Sequence, residues 1–255
     1  MPFTLSHPAA VLPIWLIFRK RLTLGGLIVG SVVPDIGYFL FLEPSDNAFR
    51  HTTAGLMTVG IIEGICLYIM VFVLFYQPMS AIIPSWIVQR CVAPKIDGIK
   101  PSEIITIITS IALGAETHII WDGFSHESGW FVEHSELLRC SLGPFHIYKR
   151  IQYLSSVVGL IILGLWSFGR LIQSEGRSYV REFFLVRTIM LIWLGIGSVT
   201  VLYITSTLIK NSVSLSVDAI VVKTVISSIS GFITGVLIYS IGYWITWGRV
   251  RKRKI

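Results

Sequence analysis

Apolar residues fill most of the chain in long runs, and short segments rich in glycine, proline or charge separate these runs. Several runs approach the ~20 residues that an α-helix needs to cross the hydrocarbon core of a bilayer. The pattern therefore predicts an all-α fold, a polytopic membrane helix bundle of about seven helices. The predicted helices cover residues 8–18, 22–33, 54–76, 103–121, 152–169, 186–209 and 223–246.

The first two predicted helices are short and form a helical hairpin with the basic residues 19–21 at its tip. Pro34 ends the second arm, because proline cannot donate a backbone hydrogen bond to a continuing helix. Arms of this kind are about 17 Å long as ideal helices, so their length leaves open whether the hairpin crosses the whole bilayer.

Composition supports a membrane protein. Of the 255 residues, 53% are hydrophobic and only 14% are charged, against about a quarter charged in soluble domains. The formal net charge of +7 could suggest nucleic acid, but the basic residues stand between the apolar runs, as they do in cytoplasmic loops. The positive-inside rule then predicts an outside N-terminus, a cytoplasmic C-terminus and outside loops at 34–53 and 122–151, with no nucleic-acid partner.

All six histidines precede residue 147, and five of them fall in segments predicted to lie outside. The remaining one, His118, lies about one turn from the outside end of its helix. The sequence thus divides into a metal-site region at 1–150 and membrane-anchoring helices at 151–255. The histidines are His7, His51, His118, His126, His134 and His146.

His118 and Asp122 are four residues apart, so they share one face of a helix and can bind one metal ion together. The plainer alternative is a buried pair joined by a hydrogen bond. His126 follows at the same spacing and either binds the metal, orients a ligand or acts as a general base. Asp122 and His126 are therefore the candidate catalytic residues.

Three further segments carry candidate ligands. Asp35 follows Pro34 where the chain leaves the second arm, His51 precedes the longest early run, and His7 precedes Pro8. Each alone is equally explained as a turn aspartate, a neighbour of a helix cap or a helix start. With His118 and Asp122 they supply three imidazoles and two carboxylates, a set that suits a divalent metal, with zinc favoured.

Three charged residues need a separate account. Glu63 stands inside an apolar run, where a bare carboxylate is costly, and a paired or protonated glutamate is favoured over a proton relay. Arg50 either binds an anionic head group or anchors the chain at the interface. Glu116 falls nearly opposite His118 on the helix, which argues against a ligand role.

The first 165 residues resemble a family of bacterial membrane proteins catalogued only as a domain of unknown function. The resemblance rests on the opening MPFTLSHPAAVLP, on Gly30–Asp35 with Tyr38, on His51, and on the block from Thr117 to His126 with Gly129 and Trp130. Glu116 stands where the family leads us to expect an apolar residue. The resemblance implies a bacterial inner-membrane protein.

More distantly, the order of these motifs is similar to inner-membrane metal-dependent hydrolases, themselves likened to zinc phospholipases C. That similarity implies an all-α scaffold whose zinc cluster activates water against a phosphoester. Carried over by position, the ligands are His7, Asp35, His51, His118 and Asp122. A further histidine–glutamate pair would use one of Glu127, Glu133 or Glu136.

The sequence leaves three functional hypotheses. The leading one is a metal-dependent membrane hydrolase that acts at the outer face on phosphoester or lipid-linked substrates, with membrane lipids as partners. The alternative is a non-catalytic metal-binding or structural membrane protein. The third is a hydrogen-bonded polar network without metal. A transporter is disfavoured, because polar residues do not continue along a path through the bilayer.

Overall fold

The computed structural model describes residues 3–42, 49–90, 100–173, 184–210 and 217–252, and its regular structure is almost entirely helical. A short antiparallel hairpin, β1 (Ser141–Leu142) with β2 (Phe145–His146), joins two of the helices. The helices are α1 (Pro8–Phe18), α2 (Leu24–Gly30), α3 (Ile36–Phe41), α4 (Thr53–Ile82), α5 (Ser85–Val88), α6 (Pro101–Ser125), α7 (Trp130–Glu133), α8 (Glu136–Arg139), α9 (Ile147–Gln173), α10 (Val186–Lys210) and α11 (Val217–Lys252).

Six stretches of the described chain are long and apolar enough to cross a bilayer, and a seventh apolar helix, Thr4–Phe18, is shorter. Large apolar side chains stand exposed on them, such as Leu165 at 67% and Leu194 at 66%, a surface that lipid would cover. The prediction of an all-α polytopic bundle is confirmed. The six stretches are Leu24–Phe41, Thr53–Ile82, Pro101–Glu133, Ile147–Gln173, Val186–Lys210 and Ala219–Thr246.

The α-helix of the second arm ends at Gly30, before Pro34, but the candidate span continues to Phe41, so the predicted loop from residue 34 is wrong. After α2 a 3₁₀ turn, Val33–Asp35, leads directly into α3. Pro34 fits there because the first turn of a helix has no intrahelical acceptor for its backbone N–H groups, so a missing one costs little. Asp35 therefore lies at a break inside the candidate span Leu24–Phe41 and not in a loop after it.

The described residues fall into two compact units. The first lies within Met1–Ile36, Asp46–Tyr68 and Lys95–Gln173, and it contains every candidate ligand. The second lies within Gly37–Ser45, Ile69–Pro94 and Ser174–Ile255 and has its own apolar core around Ile82, Ile196 and Val236. The division at residue 150 stays a prediction.

Helices α2 and α6 pack with their backbones in close approach, which small residues permit in membrane bundles. A Cβ atom at Gly30 would collide with the carbonyl of Ile111, and one at Gly114 would collide with the carbonyl of Leu27. This packing brings the C-terminal end of α2 against α6 one turn before His118.

We expect Gly114→Ala to lower the free energy of unfolding by about 1–3 kcal/mol, because the added methyl forces α2 and α6 apart. Gly164→Ala on α9 is the matched control, since nothing lies within 4 Å of a Cβ there. Thermal unfolding in detergent measures both. Equal melting temperatures for the two variants would contradict the close-packing argument.

Candidate metal centre

Four side chains from three separate segments bring one donor atom each to a common point. Asp35 comes from the break between α2 and α3, His51 from the turn before α4, and His118 and Asp122 from α6. Their donor atoms all lie within 4.8 Å of one another. We call these four residues the metal group. In the part of the chain that the structure describes, no other set of histidine, cysteine, aspartate or glutamate side chains clusters in this way.

The spacing of the metal group matches ligands around a shared ion. Nε2 of His51 lies 3.3 Å from Oδ1 of Asp35 and 3.5 Å from Oδ2 of Asp122. Nε2 of His118 lies 3.6 Å and 3.3 Å from the same two oxygens. Ligands about 2.0–2.2 Å from a tetrahedral zinc stand roughly 3.3–3.6 Å apart, whereas direct charge-assisted hydrogen bonds are about 2.7–2.9 Å long.

The orientation of His118 leaves a lone pair facing the carboxylates. Its Nδ1 lies 2.8 Å from the backbone carbonyl oxygen of Ser31, so Nδ1 carries the proton and donates it there. Nε2 of His118 and Oδ1 of Asp35 are buried without a hydrogen-bond partner. Two lone pairs directed at each other repel unless a metal cation, or a proton on Nε2, lies between them. The metal group can therefore hold a divalent metal ion, whose two positive charges balance its two carboxylates.

Neighbouring hydroxyl and carbonyl groups hold the ligands in place. Thr4 Oγ1 donates a 2.5 Å hydrogen bond to Oδ2 of Asp35, which leaves Oδ1 for the metal group. Sequence reasoning missed both Thr4 and Ser31. Thr4 acts through a tertiary contact across 31 residues, and Ser31 acts through its backbone, so neither role leaves a signal in residue type.

Helix α6 runs past Gly123 to Ser125, four residues beyond its predicted end, so Asp122 lies inside the helix. His118 and Asp122 consequently share a face, as their spacing predicts. The two carboxylate oxygens of Asp122 face different ways: Oδ2 turns to the metal group, and Oδ1 turns to His7 and His126.

His7 lies beside the metal group and is not one of its four members. Its ring stacks on that of His118 with centroids 3.8 Å apart, and its Nε2 stands 3.5 Å from Oδ1 of Asp122. His7 precedes α1, outside the six candidate spans. Burial above all lowers the pKa of His7 to about 3, so His7 is neutral and can offer a lone pair.

His126 caps the C-terminal end of α6, with Nδ1 at 3.4 Å from Oδ1 of Asp122. Its side chain is 26% exposed, so this side of the site opens at the protein surface. The amide nitrogen of the buried Gln152 lies 3.4 Å from Nε2 of His126, and Oε1 of Gln152 has no hydrogen-bond partner. Nδ1 of His126 also lies 3.3 Å from the backbone carbonyl oxygen of Asp122, so Nδ1 carries the proton and Nε2 accepts a hydrogen bond from the Gln152 amide. Sequence reasoning missed Gln152, which stands in another helix.

The other polar candidates lie apart from the metal group. His134 is exposed and hydrogen-bonds to the carbonyl of Trp130, and His146 is exposed and bonds to the carbonyl of Arg139. The remaining acidic residues considered from the sequence also stand outside the metal group: Glu116, Glu127, Glu133 and Glu136.

Glu63 is paired, as the sequence favoured. Nη1 of Arg50 donates a 2.7 Å hydrogen bond to Oε1 of Glu63, and both side chains are about four-fifths buried, with 21% and 19% exposed. Arg50 directly precedes His51, so this ion pair ties the turn that carries a metal-group residue to α4.

Glu63→Leu should leave the Arg50 charge uncompensated in a span and cost about 3 kcal/mol of stability. The double variant Arg50→Met/Glu63→Leu should recover most of the loss, because it removes both charges together. Chemical denaturation in detergent measures the free energy of unfolding of wild type, of both single variants and of the double variant. Additive effects of the two single variants would contradict a coupled pair.

Thr4→Val preserves shape and removes the hydrogen bond that orients Asp35. We expect metal affinity to fall by about 10–100-fold, the usual effect of losing a group that holds a ligand. Thr106→Val is the control, because that hydroxyl is exposed and bonds only within its own helix. Competition with a chromogenic chelator measures the affinity, and an unchanged value for Thr4→Val would refute the role of Thr4.

Comparison with known proteins places the chain at the level of a family. No curated protein and no solved structure matches the chain. A sequence family described as "Domain of unknown function (DUF4184)" matches residues 1–241, which include the metal group and five of the six candidate spans in full. The chain therefore belongs to this uncharacterised family of domains.

Proposed function

We propose that this protein is a membrane-embedded, metal-dependent hydrolase that cleaves phosphoester or lipid-linked bonds. The observation that carries the proposal is that one nitrogen of His118 and one oxygen of Asp35, both buried without a hydrogen-bond partner, converge with ligand atoms of His51 and Asp122. We further propose zinc as the metal, because two imidazoles and two carboxylates at these spacings suit its tetrahedral preference. A divalent ion held there would lower the pKa of a bound water and polarise the bond to be cleaved.

His126 is the proposed general base. It stands against Asp122 on the side that opens at the protein surface, where it can take a proton from the attacking water. The water oxygen forms a new bond to phosphorus, the bond from phosphorus to the leaving oxygen breaks, and that oxygen takes up a proton. Gln152 would keep the His126 ring oriented for the transfer.

His7 is a further proposed metal ligand, next to Oδ1 of Asp122. Its Nε2 stands 3.5 Å from Oδ1 of Asp122, so His7 and this oxygen could hold a second ion while His126 serves as the general base. The number of metal ions per chain tests this directly: His7→Ala should retain the ion of the metal group and lose any equivalent beyond the first.

A non-catalytic, structural metal site is the second candidate; we call it the metal clip. A complete set of four protein ligands is typical of structural zinc sites, whereas catalytic sites keep a position open for water. The partial exposure of His51 at 23% and of His126 at 26% supports the hydrolase, because substrate and water could enter there.

The first experiment is elemental analysis of protein purified without chelator. Wild type should hold at least one equivalent of zinc or another divalent metal, and His118→Ala should lose it. His134→Ala is the matched control, since that histidine is exposed and outside the metal group. Absence of metal from wild type after zinc is added back would refute the proposal at its base.

Activity separates the hydrolase from the clip. On bis(p-nitrophenyl) phosphate and on phospholipid substrates, His126→Gln should retain the metal of the metal group and lose about 10²–10⁴ in rate. Protein that holds metal, cleaves none of these substrates and melts at lower temperature once the metal is removed would establish the clip instead.

A further inference from the structure

A small cavity lies beside the metal group, between the N-terminal turn, α1, α6 and α9. Its volume is about 170 Å³, and all its lining residues belong to the first compact unit. Most of the wall is apolar, formed by Ala10, Trp121, Val158 and Ile162, and His7 is one of its polar members.

We propose that this cavity is the subsite for one hydrocarbon chain of a phospholipid substrate whose phosphate faces the metal group. The proposal rests on the proposed function and names its substrate class. A cavity of this volume is close to the roughly 150 Å³ apolar cavities that hold benzene-sized molecules, and well below the ~300–1,000 Å³ of pockets for whole ligands. It suits a segment of chain and not a head group.

The cavity is reachable from the bilayer. Trp121, Val158 and Ile162 are 38%, 43% and 44% exposed, and all three lie on candidate membrane spans. Lipid tails are as apolar as these side chains, so moving an acyl chain from the bilayer into the cavity gains little from the hydrophobic effect. Selection of substrate over bulk lipid must therefore come from the head group.

The polar end of such a substrate would meet the metal group. His7 lines the cavity, and both of its ring nitrogens are buried without a hydrogen-bond partner. Its Nε2 also stands 3.5 Å from Asp122, and Trp121 directly precedes Asp122 on α6. His7 and the neighbouring pair Trp121–Asp122 therefore border both the cavity and the metal group, which brings the two within reach of one lipid molecule.

Photolabelling in nanodiscs tests the subsite without relying on turnover. The probes are phosphatidic acid and diacylglycerol that carry the same diazirine in one acyl chain, each with added zinc. Mass spectrometry maps the labelled peptides. We expect phosphatidic acid to label the peptides around residues 9–10 and 155–162 about tenfold more than diacylglycerol does, and chelation of the metal to abolish the difference.

Val158→Phe and Ala10→Phe fill the cavity and should remove the selective label. Val158 is partly exposed, so its replacement leaves folding intact even where Ala10→Phe does not. Ile161→Phe is the matched control, because Ile161 lies on the same helix, is 54% exposed and does not line the cavity. The bound metal of every variant is measured by elemental analysis.

Two results would overturn the subsite: equal labelling by both probes, which indicates bulk lipid only, or selective labelling that survives in Val158→Phe. If either result is obtained with metal bound, only the subsite is refuted, and the proposed hydrolase function is unaffected. Wild-type protein without metal would instead remove the proposed function itself, and with it the reason for head-group selection.

Discussion

Two aspartate carboxylates, Asp35 and Asp122, stand together in the first compact unit, and their side chains are only 2% and 12% exposed. Their ion pairs in the described part of the chain run to histidines, with no lysine or arginine among them. An ionised carboxylate withdrawn from water is costly unless a cation balances it, and the cost is higher inside a bilayer. A bound divalent ion meets this requirement, and the surrounding structure supplies its ligands at matching distances.

Several local features are explained by that requirement. The break between α2 and α3 lies inside the candidate span Leu24–Phe41 and carries the Asp35 carboxylate. Close packing at Gly30 and Gly114 brings the Ser31 carbonyl to His118 and thereby decides which ring nitrogen faces the carboxylates. Because these parts come from separate segments, metal binding would also join them, so the site and the stability of the first unit are coupled.

Catalysis and structural support make different demands on this arrangement. A structural ion needs a closed set of ligands, and the metal group provides four. A catalytic ion needs access for water and a general base that is not itself a metal ligand. His126, held between Asp122 and Gln152 at a partly exposed edge, meets the second need, and the adjacent apolar cavity offers a place for a lipid chain.

By itself the sequence determined the all-α membrane architecture, because run length and charge placement follow directly from the bilayer. It also determined the pairing of His118 with Asp122, since that pair depends only on helical periodicity. Residue type and resemblance marked Asp35 and His51 as candidates, but not their distances from the pair. Tertiary structure alone decided the contacts of Thr4, Ser31 and Gln152, the 3₁₀ turn that leads from α2 into α3, and which oxygen of Asp122 faces His7. These depend on how distant segments pack, and no local pattern in the chain encodes that packing.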